Sequence, residues 1–320
     1  MQNFMKILGI GHYNELSYMS THWLGHVEAF KKLGHDFTYW HYDKNYIEEM
    51  LNKIKDINPD IVILGISDVF KGDFLEKLRP LTKAKIVWWY CDFTDYENFG
   101  DKDVIRRPVD KLIDYIFITN REQIPFYQNK LNIDKVYYLP QACLKREKIE
   151  ELVSQYKNKL VFVGQVDYGG IRTERVDLLN YIRKNHPELK LYPNSDLTKK
   201  QSYGVHHLFY PSVEITLGHS WHNDADMYTS NRLFIVLGNG GFYLCNRFKN
   251  MEEMWGIGKH LDVFDNKEEA VEKIKYYQSH PKEREEIRKC GFEYVQKYHN
   301  YTIRLQNLLD IVNEKNEQIK

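Results

Sequence analysis

Short apolar runs alternate along the chain with longer stretches whose apolar residues recur three or four positions apart, and this alternation predicts a parallel sheet covered by helices. Residues 5–10 read as the first strand. A helix over 22–33 places Trp23, Val27, Phe30 and Leu33 on one side, and Gly34-His35-Asp36 stops it. A second strand over 37–42, a helix over 45–57 and a third strand over 60–65 follow, the last entered through Asn58-Pro59. Strands at 85–91 and 115–119 repeat the pattern and 136–140 closes it, so residues 1–143 form one doubly wound domain.

A second series starts after 145–157, a polar stretch that reads as helical. Residues 160–164 are a fresh buried strand, Gly169-Gly170 a turn, and 173–184 a helix. Further strands are expected at 190–192, 213–217, 242–245 and 262–264. Between the last two of these and the strand before them lies an apolar helix opened by Thr229-Ser230-Asn231-Arg232 and ended by Gly240-Gly241. A charged helix over 266–280 and one initiated by Pro281 complete the domain, 144–300. In the tail, 301–320, Tyr301, Ile303, Leu305, Leu308, Leu309 and Val312 form an apolar stripe near helical spacing. Two such domains place a ligand crevice at the carboxyl ends of their strands.

Composition narrows the function classes. At 320 residues the chain suits two α/β domains, and Lys+Arg (45) equals Asp+Glu (45), which provides no net field for a polyanion. A dedicated nucleic-acid binder is disfavoured, leaving only a local basic patch for such a role. Cys91, Cys143, Cys245 and Cys290 lie far apart with no CxxC pair, so neither a zinc site nor a disulfide framework is indicated. No apolar run reaches membrane-spanning length, and the N-terminus lacks a signal-peptide pattern. The expectation is a soluble cytoplasmic protein.

Candidate chemistry gathers after strands. Behind the strand ending at Gly164, the turn carrying Gln165, Arg172 and Arg175 leads into a helix start, an arrangement that suits a diphosphate. It is no dinucleotide fingerprint, because GxGxxG is absent both here and at Gly9-Ile10-Gly11-His12. Arg232 in a helix's first turn is electrostatically misplaced unless it meets an anion or pairs with Asp224, Asp226 or Glu214. The stretch from His219 through Trp221, His222, Asp224 and Asp226 combines an aromatic face with hydrogen-bonding groups, as a sugar or nucleoside pocket requires. Asp224-Ala225-Asp226 also has the DxD form that holds a divalent metal in another transferase fold, but two acids two apart are common and no metal is expected. In the first domain His12 and Asp92 follow strand ends and are the candidate general bases. His22 and His26, one helical turn apart, read as a helix face without catalytic duty.

The order of cap, helix, Gly pair, strand and Pro-initiated helix resembles the closing region of the CgeB-like, group 1-like glycosyltransferases, most strongly over residues 136–310. The resemblance implies an α/β glycosyltransferase B (GT-B) fold, two Rossmann-like domains facing across a cleft, with Leu139-Pro140-Gln141-Ala142 as the interdomain step. It also implies that 301–320 crosses back onto the first domain. The implied donor is a nucleotide sugar such as a UDP- or GDP-sugar, bound by the second domain, with the acceptor hydroxyl held by the first and no cofactor. Gly164, Arg172 and Arg175 fall on the family's phosphate loop, and Asn231, Arg232, Gly240 and Gly241 on its capped helix. One departure stands out: Ile235 occupies the position where relatives carry a ribose-binding acid. Two other readings remain open at this point, a sugar transferase acting on a hydroxylated nucleic-acid base and a non-catalytic binding protein that has lost the donor site.

Overall fold

The computed structural model describes residues 4–11, 20–41, 47–65, 72–93, 112–166, 173–192 and 206–314. The chain divides into two compact units, Met1–Pro140 with Tyr301–Lys320, and Gln141–Asn300.

The first unit is built on a six-stranded parallel sheet of β1 (Lys6–Gly11), β2 (Asp36–His41), β3 (Ile61–Leu64), β4 (Lys85–Tyr90), β5 (Tyr115–Ile118) and β6 (Val136–Tyr138). Its order is β2-β1-β3-β4-β5-β6. Successive residues point to opposite faces, and Leu8, Ile10, Val62, Leu64, Ile86, Trp88, Ile116 and Ile118 share one of them with Met50, Leu51 and Ile54 of helix Ile47–Ile57. That helix ends where Asn58 turns to φ 46, a left-handed residue that Pro59 follows.

Helix Tyr301–Val312 belongs to this same unit, and its buried side chains include Tyr301, Leu305, Leu308 and Leu309. Gly25 lets helix Ser20–Lys32 approach it, since a Cβ there would sit 2.1 Å from the Tyr301 ring. The Tyr301 hydroxyl lies 2.7 Å from His22 Nδ1, and the His26 ring stacks on Trp89 at 5.7 Å. Burial lowers the pKa of His22 to about 4 and, with the nearby His22, that of His26 to about 3, so both rings stay neutral at physiological pH.

The second unit holds a five-stranded parallel sheet of β7 (Leu160–Val163), β8 (Lys190–Tyr192), β9 (Ile215–Gly218), β10 (Tyr243–Asn246) and β11 (Asp262–Phe264), ordered β11-β10-β9-β7-β8. Leu160, Phe162, Leu217 and Leu244 pack with helices Thr173–Asn185 and Lys267–Ser279. Val161, Tyr243, Cys245 and Val263 face the opposite way, against Leu233 and Val236 of helix Asn231–Gly238 and Val295 of helix Pro281–Tyr298. The strand order reverses between β1 and β3 in one sheet and between β7 and β9 in the other, and in open α/β sheets such switch points open the ligand crevice.

One expected element is absent. Residues 145–157 contain only the short turn Ser154–Tyr156 instead of a helix. Their backbone is committed elsewhere: Arg146 N–H donates to Gln296 Oε1 at 2.9 Å and Val153 N–H to Ser212 Oγ at 2.7 Å. Ile149 meanwhile packs where Gly240 leaves room, which an independent polar helix would not satisfy. No disulfide joins the four cysteines. Among the described residues no helix is long and apolar enough to cross a membrane.

Candidate functional site

The site takes shape where β7 and β9 end. Helix Asn231–Gly238 begins there with Ser230 as its cap: the Ser230 side chain accepts from Arg232 N–H at 3.2 Å, and Ser230 N–H donates to Ser220 Oγ at 3.1 Å. Ser220 N–H in turn donates to Asn246 Oδ1 at 3.1 Å. The loop after β9, the helix start and the end of β10 are thereby locked to one another.

Arg232 carries a cation into this helix's positive end, normally a cost of about 0.3–1 kcal/mol. The structure shows what offsets it. Its Nε–H donates to the Val163 carbonyl, Nη1 donates to the His219 carbonyl at 3.3 Å, and the guanidinium lies 4.7 Å from the Phe162 ring centroid. Neither Glu214 nor Asp226 neutralises it, because Glu214 pairs with Arg284 at 3.0 Å and Asp226 accepts from Asn250 at 2.9 Å.

Gly164 serves the site differently from the expectation. Its N–H is spent on the Tyr192 carbonyl at 2.9 Å, so this amide is not offered to a phosphate. What matters is the missing side chain. Gly164 has φ 148, and a Cβ there would lie 2.2 Å from Arg232 Nη2. Arg175 is also reassigned: it is buried and donates to the carbonyls of Gln165 and His219, each at 2.8 Å, bracing the two strand ends. His219 O therefore accepts from both arginines.

Beside the brace opens a cavity of about 480 Å³ whose lining includes Glu174, Arg175, His219, Trp221, His222 and Asp224. Trp221 is 42% exposed, and its ring runs nearly parallel to that of His222, 5.2 Å away at 13°. Asp224 lines the cavity, whereas Asp226 accepts from Asn250 Nδ2 at 2.9 Å. Among the described residues no group of three or more His, Cys, Asp or Glu is placed to share a metal ion.

Other expected residues lie elsewhere. Gly240 and Gly241 are corrected from phosphate ligands to packing positions: they follow the opposite end of the helix that Arg232 begins, and both are buried. A Cβ on Gly240 (φ 77) would strike Ile149, and one on Gly241 would strike Val236. Ile235 is buried in the core with Leu233 and Phe234. Asp92, reached from β4 through Cys91, is exposed, and the Cys91 carbonyl is held by Thr119 Oγ1 at 3.0 Å. His12 and Arg172 lie outside the described residues. The sequence gives no local sign of Phe162 as a support of Arg232, because its role arises from strand pairing across the sheet.

The two doubly wound parallel sheets, with helix Tyr301–Val312 completing the first unit, are those of the GT-B fold. Solved structures with this fold include Anabaena Alr3699/HepE in complex with UDP-glucose, at TM-score 0.63 and 9% identity over 97% of this chain and 100% of that one. A glycosyltransferase from Rickettsia africae aligns at TM-score 0.58 and 12% identity over 99% and 100% of the two chains. An α-glucosyltransferase in complex with UDP and a 13-mer DNA containing an HMU base aligns at TM-score 0.62 and 12% identity over 97% and 100%. The chain belongs to the glycosyl transferase-like family, whose model matches residues 146–310. No curated protein matches the sequence.

Proposed function

We propose that the chain is a CgeB-like, cytoplasmic glycosyltransferase that moves a hexosyl or pentosyl group from a nucleotide sugar to an acceptor hydroxyl without a divalent metal. The observation that carries this reading is the Arg232 guanidinium, held by carbonyls of β7 and of the loop after β9 at a helix N-terminus next to the Trp221 cavity. A fixed cation and a helix dipole stabilise the diphosphate as the glycosidic bond breaks, with no reorganisation at the moment of reaction. Asn231 opens the same helix, Gln165 follows Gly164, and Arg172, further along the sequence, is the second cation proposed for the diphosphate. The neutral, hydroxyl-bearing part of the donor takes the cavity, with Trp221 as a flat wall and His219, His222 and Asp224 as polar contacts. The first unit binds the acceptor, where His12 and Asp92 follow the ends of β1 and β4; either serves as base if the departing phosphate does not. That HepE was solved with UDP-glucose supports a UDP-sugar as the first donor to try.

Thermal unfolding with UDP, GDP, ADP and the matching monophosphates tests the reading. One diphosphate at 100 times its dissociation constant should add about 2.7 kcal/mol of stability. If none shifts the transition and no UDP- or GDP-sugar is turned over with any hydroxyl acceptor, the proposal is wrong.

A further inference from the structure

The chemistry of the cavity beside Trp221 bears on what fills it. Two carboxylates line it from separate elements, Glu174 in the first turn of helix Thr173–Asn185 and Asp224 in the loop after β9. Among the described residues neither has a hydrogen-bond or ion-pair partner. Asn223, also in the lining, donates through Nδ2 to the Ser220 carbonyl at 3.1 Å, and its Oδ1 is buried without a hydrogen bond among the described residues. Arg175, the only arginine or lysine among the described lining residues, is buried and spends its guanidinium on the Gln165 and His219 carbonyls. The lining is therefore rich in acceptors, and a carboxylate can only accept, so the ligand has to bring the protons.

A sugar hydroxyl donates to a carboxylate in a charge-assisted bond, whereas a carboxylate on the sugar brings no proton and meets two like charges. The exposed face of Trp221 accepts a sugar ring in either case and does not discriminate. We infer that Glu174 and Asp224 make this cavity selective for a glycosyl group that is uncharged and rich in hydroxyls, and that they reject glycosyl groups bearing a carboxylate, the hexuronic acids. The inference rests on the reading of the chain as a nucleotide-sugar transferase whose donor reaches from Arg232 into this cavity. Glu174 has a structural use as well, because an acid in a helix's first turn meets the positive end of the helix. That use alone predicts lost stability when the charge is removed and an unchanged preference among sugars, which separates the two roles.

The test is calorimetric titration of the full chain with UDP, GDP and two matched pairs, UDP-glucose with UDP-glucuronic acid and GDP-mannose with GDP-mannuronic acid. Within each pair a single carbon changes from CH2OH to carboxylate, and a ratio taken within one protein cancels any general effect of charge on the diphosphate. For the base it accepts, the parent should bind the neutral sugar at least about 10-fold more tightly than the acid, since like charges in a partly enclosed cavity are incompletely screened. Glu174→Gln and Asp224→Asn should each narrow that ratio, and the double variant should bring it below about threefold; Glu174→Asp, which keeps the charge, should preserve it. Unfolding temperature is recorded for every variant, and the parent's own ratio decides even where a variant fails to fold. A parent that binds the acid as tightly as the neutral sugar, or a ratio unmoved in a folded double variant, overturns the selectivity while leaving the diphosphate reading intact. Failure of UDP, GDP and both pairs to bind contradicts the reading of the site and the inference with it.

Discussion

Each unit buries a knot of polar side chains against its sheet, and the two knots treat charge in opposite ways. In the first unit His22 and His26 are enclosed by Trp89 and Tyr301, and burial keeps both imidazoles neutral. In the second, Arg175 and Arg232 are set against Phe162, and a guanidinium cannot discard its proton. The second knot must therefore answer its charge, and it does so with the carbonyls of Val163, Gln165 and His219. A neutral knot is a packing device. A charged one at the carboxyl ends of strands keeps a field available to an anion.

The largest expected effect comes from removing the packing device. Truncation before Tyr301 strips the first unit of Tyr301, Leu305, Leu308 and Leu309, each buried and worth roughly 1.5–3 kcal/mol before entropy. Unfolding of the truncated chain should lose the first unit's cooperative transition in calorimetry; an unchanged thermogram would show that the helix is dispensable.

Acid attacks the neutral knot next. An unfolded histidine takes a proton near pH 6.5, whereas His22 does so only near 4 and His26 near 3. Below 6.5 the unfolded chain thus binds more protons, and stability should fall by up to about 1.4 kcal/mol per pH unit per histidine, with no such slope above 6.5. His206 of the second unit, lowered to about 3 by its burial and by Arg146, adds to the slope. Denaturant melts at pH 7.5, 6 and 5 measure it, and His26→Phe should flatten it.

The two arginines should then separate. Arg175→Gln takes the guanidinium donor from the Gln165 carbonyl and leaves His219 O with Arg232 alone, so about 1–3 kcal/mol of stability should be lost in a urea melt. Gly164→Ala strains a φ of 148 and displaces Arg232, so it should reduce both stability and UDP affinity; an alanine variant that binds UDP normally would show that Arg232 has room to move. The smallest effect expected is that of excess chelator on turnover, namely none; activity lost with chelator and restored by manganese or magnesium would promote Asp224 to a metal ligand.

Much of the fold could be read from periodicity, because central strands such as Leu160–Val163 and Ile61–Leu64 are short, continuous apolar runs, as a sheet covered on both faces demands. The stretch 145–157 misled because polar, helix-favouring composition says nothing of partners such as Gln296 and Ser212 that claim its backbone. At the site, Ser230 and Arg232 stood out locally as a cap and a misplaced charge. Gly240 and Gly241 were legible as the end of the helix that Arg232 begins, but not that Ile149 and Val236 fill the space their missing side chains leave. Phe162 could not be found along the chain, since strand order decides which side chains meet the guanidinium.

The central claim is that the Arg232 guanidinium receives the donor's diphosphate, and calorimetric titration of UDP and of uridine into the parent and Arg232→Ala tests it most directly. Loss of a charge-assisted phosphate contact costs about 1.5–3 kcal/mol, so UDP should bind roughly 10- to 100-fold more weakly to the variant while uridine binds both alike. UDP affinities equal within a factor of about two, in a variant that melts like the parent, would contradict the account.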